Sequence, residues 1–247
     1  MSTLNAFLIS TLAGMSTIIG SLVIFLKIEN KNTNRFISFC LSFSISIMIG
    51  ISITELIPSS YFNIMLNYKG IIGILIILFS FIMGMIMVTF TNKIINNNNT
   101  LYKLGILSMI ALILHNFPEG IATFMGSIKN PTLGLKLSFA IMFHNIPEGI
   151  SIAVPIYYAT NSKKKALYYA FLSGIAEPLG AFITYILLNR YVTDLMLCAT
   201  LLFVAGIMIT LSINEMLPKA LAYKENKFIY LGLIIGIILI LINHLMF

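Results

Sequence analysis

Apolar residues run along this chain in blocks of roughly 20, and each block is long enough to cross a ~30 Å hydrocarbon core as a helix. The pattern predicts eight helices, at about 5–26, 36–57, 70–91, 103–127, 132–159, 165–188, 195–218 and 228–246. Short polar connectors separate them: Glu29 to Asn32, Asn67 to Gly70, Asn96 to Asn99, Asn130-Pro131, Asn161 to Lys163, Asn189-Arg190 and Lys224 to Lys227. None could hold a domain, so residues 1–247 read as a single transmembrane unit of an all-α integral membrane protein. The first block lacks a basic stretch before it and exceeds the apolar core of a signal peptide, so a retained helix is expected there.

Composition agrees with the block pattern. Hydrophobic residues make up 59% and charged residues 9%, with a mean hydropathy of +0.99, far from a soluble domain of this length. A net charge of +7 raises the question of nucleic acid, but the basic residues stand singly or in small groups between apolar blocks and form no stripe with interleaved aromatics. No nucleic-acid partner is expected; the partner of this surface is a lipid bilayer, with a homodimer left open. Eleven Lys and Arg fall in the odd-numbered connectors and four on the opposite side, counting Lys69, Lys129, Lys136 and Arg190 as the four. That bias places the odd connectors in the cytoplasm and both termini outside, as in a multi-pass plasma-membrane protein; Lys163 to Lys165 act as topology determinants. Cys40 and Cys198 each lie in an apolar block with no Cys-x-x-Cys pair and are expected to pack. Met83, Met85 and Met87 read as packing or lipid-facing residues.

Against this background, ionisable residues at mid-span carry the information, because a charge at the bilayer centre costs about 2.5–3.5 kcal/mol even on a lenient scale. The fourth block contains His115-Asn116-Phe117-Pro118-Glu119-Gly120 and the fifth His144-Asn145-Ile146-Pro147-Glu148-Gly149. The sixth adds Glu177-Pro178. Within each copy His and Glu are four apart and Asn and Glu three apart, so all three side chains share one helical face. Each proline frees a carbonyl one turn earlier, at Leu114 and Phe143, and the following glycine permits close helix approach.

Spacing decides whether these groups can meet. His115 to His144 and Glu148 to Glu177 both span 29 residues, with midpoints in the Asn130-Pro131 and Asn161-Ser162 turns. Equal arms mean equal depth, roughly 20 Å from a membrane face for about 13 helical residues. Three carboxylates, two imidazoles and two amides then share one level between helices 4, 5 and 6. Kinked helices whose polar groups only bonded one another would leave the carboxylates unpaired, whereas divalent cations balance them. Imidazole N, carboxylate O and amide O without thiolate suit Zn2+, Fe2+, Mn2+ or Co2+ rather than Cu+. Metal is expected as cargo, with no separate cofactor.

A second internal echo links helices two and seven: Ser52-Ile53-Thr54-Glu55-Leu56-Ile57-Pro58 against Ser212-Ile213-Asn214-Glu215-Met216-Leu217-Pro218. Helices an odd number apart cross in opposite senses, so the echo implies an inverted repeat relating helices one to three with six to eight. Glu55 and Glu215 are candidates for a transport pathway, although their places near the expected helix ends also suit solvation or a bond to a neighbour. His244, in the last turn without acidic neighbours, is expected to pack.

The doubled His-Asn-x-Pro-Glu-Gly and Ser-Gly-x-x-Glu-Pro-x-Gly at Ser173 to Gly180 resemble the ZIP (Zrt/Irt-like) metal transporters, closest to the bacterial ZupT type, over essentially all eight spans. The resemblance implies uptake of zinc, with iron, manganese, cobalt and cadmium left open, through a midplane binuclear site. One ion would use Glu119, His144 and Glu148 with His115; the other Asn116, Glu119, Asn145, Glu148 and Glu177. The third connector, often long and His-rich in such proteins, is here a short run around Asn96 to Asn99, which argues against a metal-sensing loop. No Gly-x-x-x-x-Gly-Lys-Ser/Thr loop is present, so ATP drive is not expected. The main alternative, an intramembrane metal-dependent hydrolase, would want His-Glu-x-x-His or an open coordination position with a separate base.

Overall fold

The computed structural model describes residues 3–95, 98–129, 131–188 and 193–246. Asn96, Asn130 and Arg190 lie outside the described residues, as do the side chains of Lys129, Lys136 and His244. Among the described residues, eight helices are long and apolar enough to span a bilayer. They are α1 (Thr3–Phe25), α2 (Asn30–Asn67), α3 (Ile71–Ile94), α4 (Thr100–Lys129), α5 (Pro131–Thr160), α6 (Lys163–Ile186), α7 (Asp194–Ala222) and α8 (Asn226–Met246). No strand occurs among the described residues.

Local chemistry sets the ends. Ser162 and Thr193 cap α6 and α7 by accepting from the backbone N–H of Lys165 and Met196. Asn161 closes α5 in the left-handed region at φ 50°. Two helices overrun their expected limits, since α2 continues past 57 to Asn67 and α7 past 218 to Ala222. Pro58 and Pro218 do not stop them. Each proline lacks a donor and crowds the carbonyl four residues back, and the helix widens into a π turn just upstream, at Ser52–Leu56 and Leu211–Met216.

Packing follows a pseudo-two-fold that exchanges α1 with α6, α2 with α7, α3 with α8 and α4 with α5. Thus α1 lies on α5 as α6 lies on α4, α2 lies on α8 as α7 lies on α3, and α4 packs on α5 at the centre. Equivalent residues in the first two pairs are 160 positions apart. Ser52 Oγ donates to Met208 Sδ at 3.8 Å, and its counterpart Ser212 Oγ donates to Met48 Sδ at 3.9 Å. The inverted repeat implied by the Ser-Ile-x-Glu-x-x-Pro echo is therefore reciprocal at the level of single contacts. The main core lies between α2, α4, α5 and α7, around Leu41, Met48, Leu112, Ile152 and Ile207. Cys40 and Cys198 are both buried, and Met83 and Met85 lie on the outer face of α3.

Candidate metal centre

Pro118 and Pro147 sit inside helices that continue through them, so each His-Asn-x-Pro-Glu-Gly copy stays helical and keeps its polar side chains on one face. The glycines bring the helices close. A Cβ on Gly120 would lie 1.9 Å from the carbonyl O of Glu177, and one on Gly149 would lie 1.9 Å from that of Thr17. Only glycine allows α4 to touch α6, and α5 to touch α1, at the level of the motif.

That contact gathers the residues singled out by the motifs. His115, Asn116, Asn145 and Glu177 are 0% exposed, Glu148 1%, and Glu119 and His144 4% each. His115 Nε2 lies 3.2 Å from both Glu119 Oε1 and Glu148 Oε1. His144 Nε2 lies 3.1 Å from Glu119 Oε1, and the two imidazole rings are 6.1 Å apart. His115, Glu119 and His144 each present a ligating atom, all within 4.8 Å of one another. Among the described residues, the ion pairs of these carboxylates run to histidine alone.

Beside this cluster lies a second one built on the amides. Asn116 Nδ2 donates to Ser173 O of α6 at 3.2 Å. Asn145 Nδ2 donates to Ala13 O of α1 at 2.9 Å and to Glu177 Oε2 at 3.1 Å. With both amide nitrogens tied to helix carbonyls, the orientation of each amide is fixed and its oxygen is left over. Asn116 Oδ1, Asn145 Oδ1 and Glu177 Oε1 are buried without a hydrogen-bond partner. Buried acceptors left bare beside carboxylates are an arrangement that a cation satisfies and a neutral core does not.

Glu55 and Glu215 do not join the cluster. Both are half-buried within their π turns, rather than near helix ends as the expected boundaries implied, because α2 and α7 run on. Each accepts an amide from the other half of the molecule: Asn243 Nδ2 of α8 reaches Glu55 Oε1 at 3.3 Å, and Asn92 of α3 reaches Glu215. A narrow cleft is bordered by Ile51, Phe143, His144 and Asn243, so the asparagine that holds Glu55 and the buried histidine line one space. Sequence reading missed Asn92, Asn243 and Ala13; the two asparagines stand 151 residues apart, outside the 160-residue register of the echo, so that register does not point to them.

The chain matches the ZIP zinc transporter family model over residues 97–244. It also aligns along nearly its whole length with zinc transporters ZupT. It is 37% identical to that of Chlorobium chlorochromatii, over 99% of this chain and 98% of the relative. It is 37% identical to that of Streptococcus mutans, over 98% and 97%, and 36% identical to that of Clostridium perfringens, over 99% and 96%. The chain belongs to the ZIP family. As a ZIP protein with eight apolar spans it is a multi-pass membrane protein and a transporter, and the hydrolase alternative falls away. In this ZIP chain the matched region contains both His-Asn-x-Pro-Glu-Gly copies and Glu177.

Proposed function

We propose that this ZIP protein carries divalent transition metals, zinc first among them, into the cytoplasm across the plasma membrane, through two adjoining ion positions at the meeting of α4, α5 and α6. The supporting observation is the set of bare acceptors at Asn116, Asn145 and Glu177, held beside carboxylates whose ion pairs, among the described residues, run to imidazoles. One ion takes His115, Glu119, His144 and Glu148. The other takes Asn116, Asn145 and Glu177 and shares Glu119 and Glu148. Donors of this kind also suit Fe2+, Mn2+, Co2+ and Cd2+, and competition among these metals sets the order. Zinc is the first choice because the similar proteins are zinc transporters.

Glu55 and Glu215 are proposed as stations on the route in and out, one on each side of the centre. The cleft lined by both His144 and Asn243, the partner of Glu55, supports the first, and the reciprocal asparagine contact supports the second. The charge bias puts both termini outside, so the Glu55 end faces the exterior.

Flux of radioactive zinc into proteoliposomes containing the purified protein tests the proposal. Replacing Glu119, Glu148 or Glu177 by Ala should each abolish saturable uptake; intact flux in all three would remove the site assignment. Glu55→Gln and Glu215→Gln should lower uptake while equilibrium binding at the centre persists. Unchanged flux at several zinc concentrations would remove them from the route.

A further inference from the structure

We infer that Thr17 of α1 is the counterpart of Glu177 across the pseudo-two-fold, and that its hydroxyl supplies a neutral oxygen to the ion held by Asn116, Asn145 and Glu177. The inference rests on the two-ion reading above and adds to it a residue from a fourth helix.

The sequence register comes first. Residues 160 apart match not only in α2 and α7 but also in α1 and α6, where Gly14-x-x-Thr17-x-x-Gly20 stands against Gly174-x-x-Glu177-x-x-Gly180. The backbone follows the same rule, since Gly149 closes on Thr17 O as Gly120 closes on Glu177 O. Side-chain direction follows it too. A Cβ on Gly14 would lie 2.8 Å from Glu177 Cβ, and one on Gly174 would lie 3.4 Å from Thr17 Cβ. Each side chain therefore leaves its helix over the glycine of the other, into the same α1–α6 seam.

The hydroxyl itself is unclaimed. Thr17 is 0% exposed, and its Oγ1 has no hydrogen-bond partner. A threonine inside a helix commonly returns its proton to the carbonyl four residues back, as Thr11, Thr54, Thr91 and Thr184 do here. For Thr17 that carbonyl is Ala13 O, which already accepts from Ser16 Oγ at 2.6 Å and Asn145 Nδ2 at 2.9 Å. Inside α1 the same oxygen also receives the helical N–H of Thr17, so its two lone pairs are already fully shared among three donors. The amide that orients the metal-facing oxygen of Asn145 thus also displaces Thr17 from its default partner.

The consequence is chemical. Asn116, Asn145, Glu119, Glu148, Glu177 and Thr17 offer six oxygen donors, the number an octahedral divalent ion takes. A hydroxyl at position 17 also keeps the centre at three carboxylates against two divalent ions. A carboxylate there would neutralise the pair and hold it too firmly to release quickly.

The test is zinc titration of the full chain in nanodiscs, stripped of metal beforehand, together with flux in proteoliposomes. Thr17→Val should weaken the second zinc roughly tenfold and leave the first unchanged, and Thr17→Ser should restore it. Thr17→Glu should tighten the second zinc and slow turnover. The inference is overturned if Thr17→Val binds both ions as the unmodified protein does. It is equally overturned if that variant loses both together with its melting temperature and Thr17→Ser loses them as well. Glu148→Gln separates the two readings: if it keeps both ions, the two-ion centre fails and Thr17 with it, whereas loss in Glu148→Gln alone leaves the centre standing and removes only Thr17.

Discussion

Asn116 and Asn145 show how an amide at mid-membrane is given a direction. Each nitrogen is anchored on a carbonyl of the helix flanking its own, Ser173 O for one and Ala13 O for the other, so the oxygen has no freedom to turn away. Asn145→Asp keeps the size but gives up the donor to Ala13, and it should reduce zinc flux even though it adds a carboxylate. Glu119 contacts both imidazoles, so Glu119→Gln should lower zinc affinity by more than about a hundredfold, beyond the usual range for residues that only orient ligands, as read by equilibrium dialysis. Imidazole and carboxylate bind metal only when deprotonated, so protons and zinc compete for the same atoms. Zinc affinity should fall steadily as pH is lowered from neutral to mildly acidic, with protons released on binding at neutral pH; a flat profile would count against histidine ligation. At this scale the sequence was informative. Ionisable groups repeated in an apolar background identify themselves, whereas Thr17 and Ala13 do not, because neither is unusual in a membrane helix.

Among the helices, sequence reading was sound on number and weaker on extent. The apolar blocks and Asn-rich connectors mark eight spans, but the expected limits at 57 and 218 fall short, because near Pro58 and Pro218 the chain widens by a π turn and carries on. Composition alone does not separate these outcomes, since a proline that stops a helix and one that follows a bulge look the same in sequence. The bulges have a use: they turn Glu55 and Glu215 toward Asn243 and Asn92. Replacing Pro58 by Ala should let α2 relax toward a regular helix and lower flux while zinc still binds at the centre. The glycine contacts make a sharper prediction. A Cβ on Gly149 meets Thr17 O, and one on Gly120 meets Glu177 O, both at 1.9 Å, so Gly149→Ala and Gly120→Ala should each destabilise the fold by about 1–3 kcal/mol, measured as a lower melting temperature in detergent.

Taken as a whole, the molecule places its lysines and arginines at the ends and its buried carboxylates, imidazoles and amides in the middle. Lys163 Nζ rests 4.5 Å over the ring of Phe25, and Arg35 reaches Glu225 at 3.5 Å and the ring of Phe228 at 5.6 Å, all on the side the charge bias assigns to the cytoplasm. Single cysteines at Lys164 and Asn67 should react with impermeant maleimide from opposite faces of sealed vesicles, Asn67→Cys from outside and Lys164→Cys only after permeabilisation. Labelling of both from the same face would reverse the orientation. The two native thiols are buried and give little background. The spans with the largest uncovered share are α3 and α8, so lipid or a second copy must cover Phe79, Ile82, Ile237 and Leu241. Light scattering of the detergent-solubilised protein distinguishes a monomer from a dimer.

The pseudo-two-fold allows a second conformation to be written down. Swapping the shapes of the two halves would seal the cleft beside His144, Ile51 and Asn243 and open its image on the opposite leaflet, along His115, Leu211 and Asn92. A cysteine placed at Leu211 should then become reachable from the cytosolic face only during turnover. The same protein would thus show its cargo two doorways of matching construction, used in alternation.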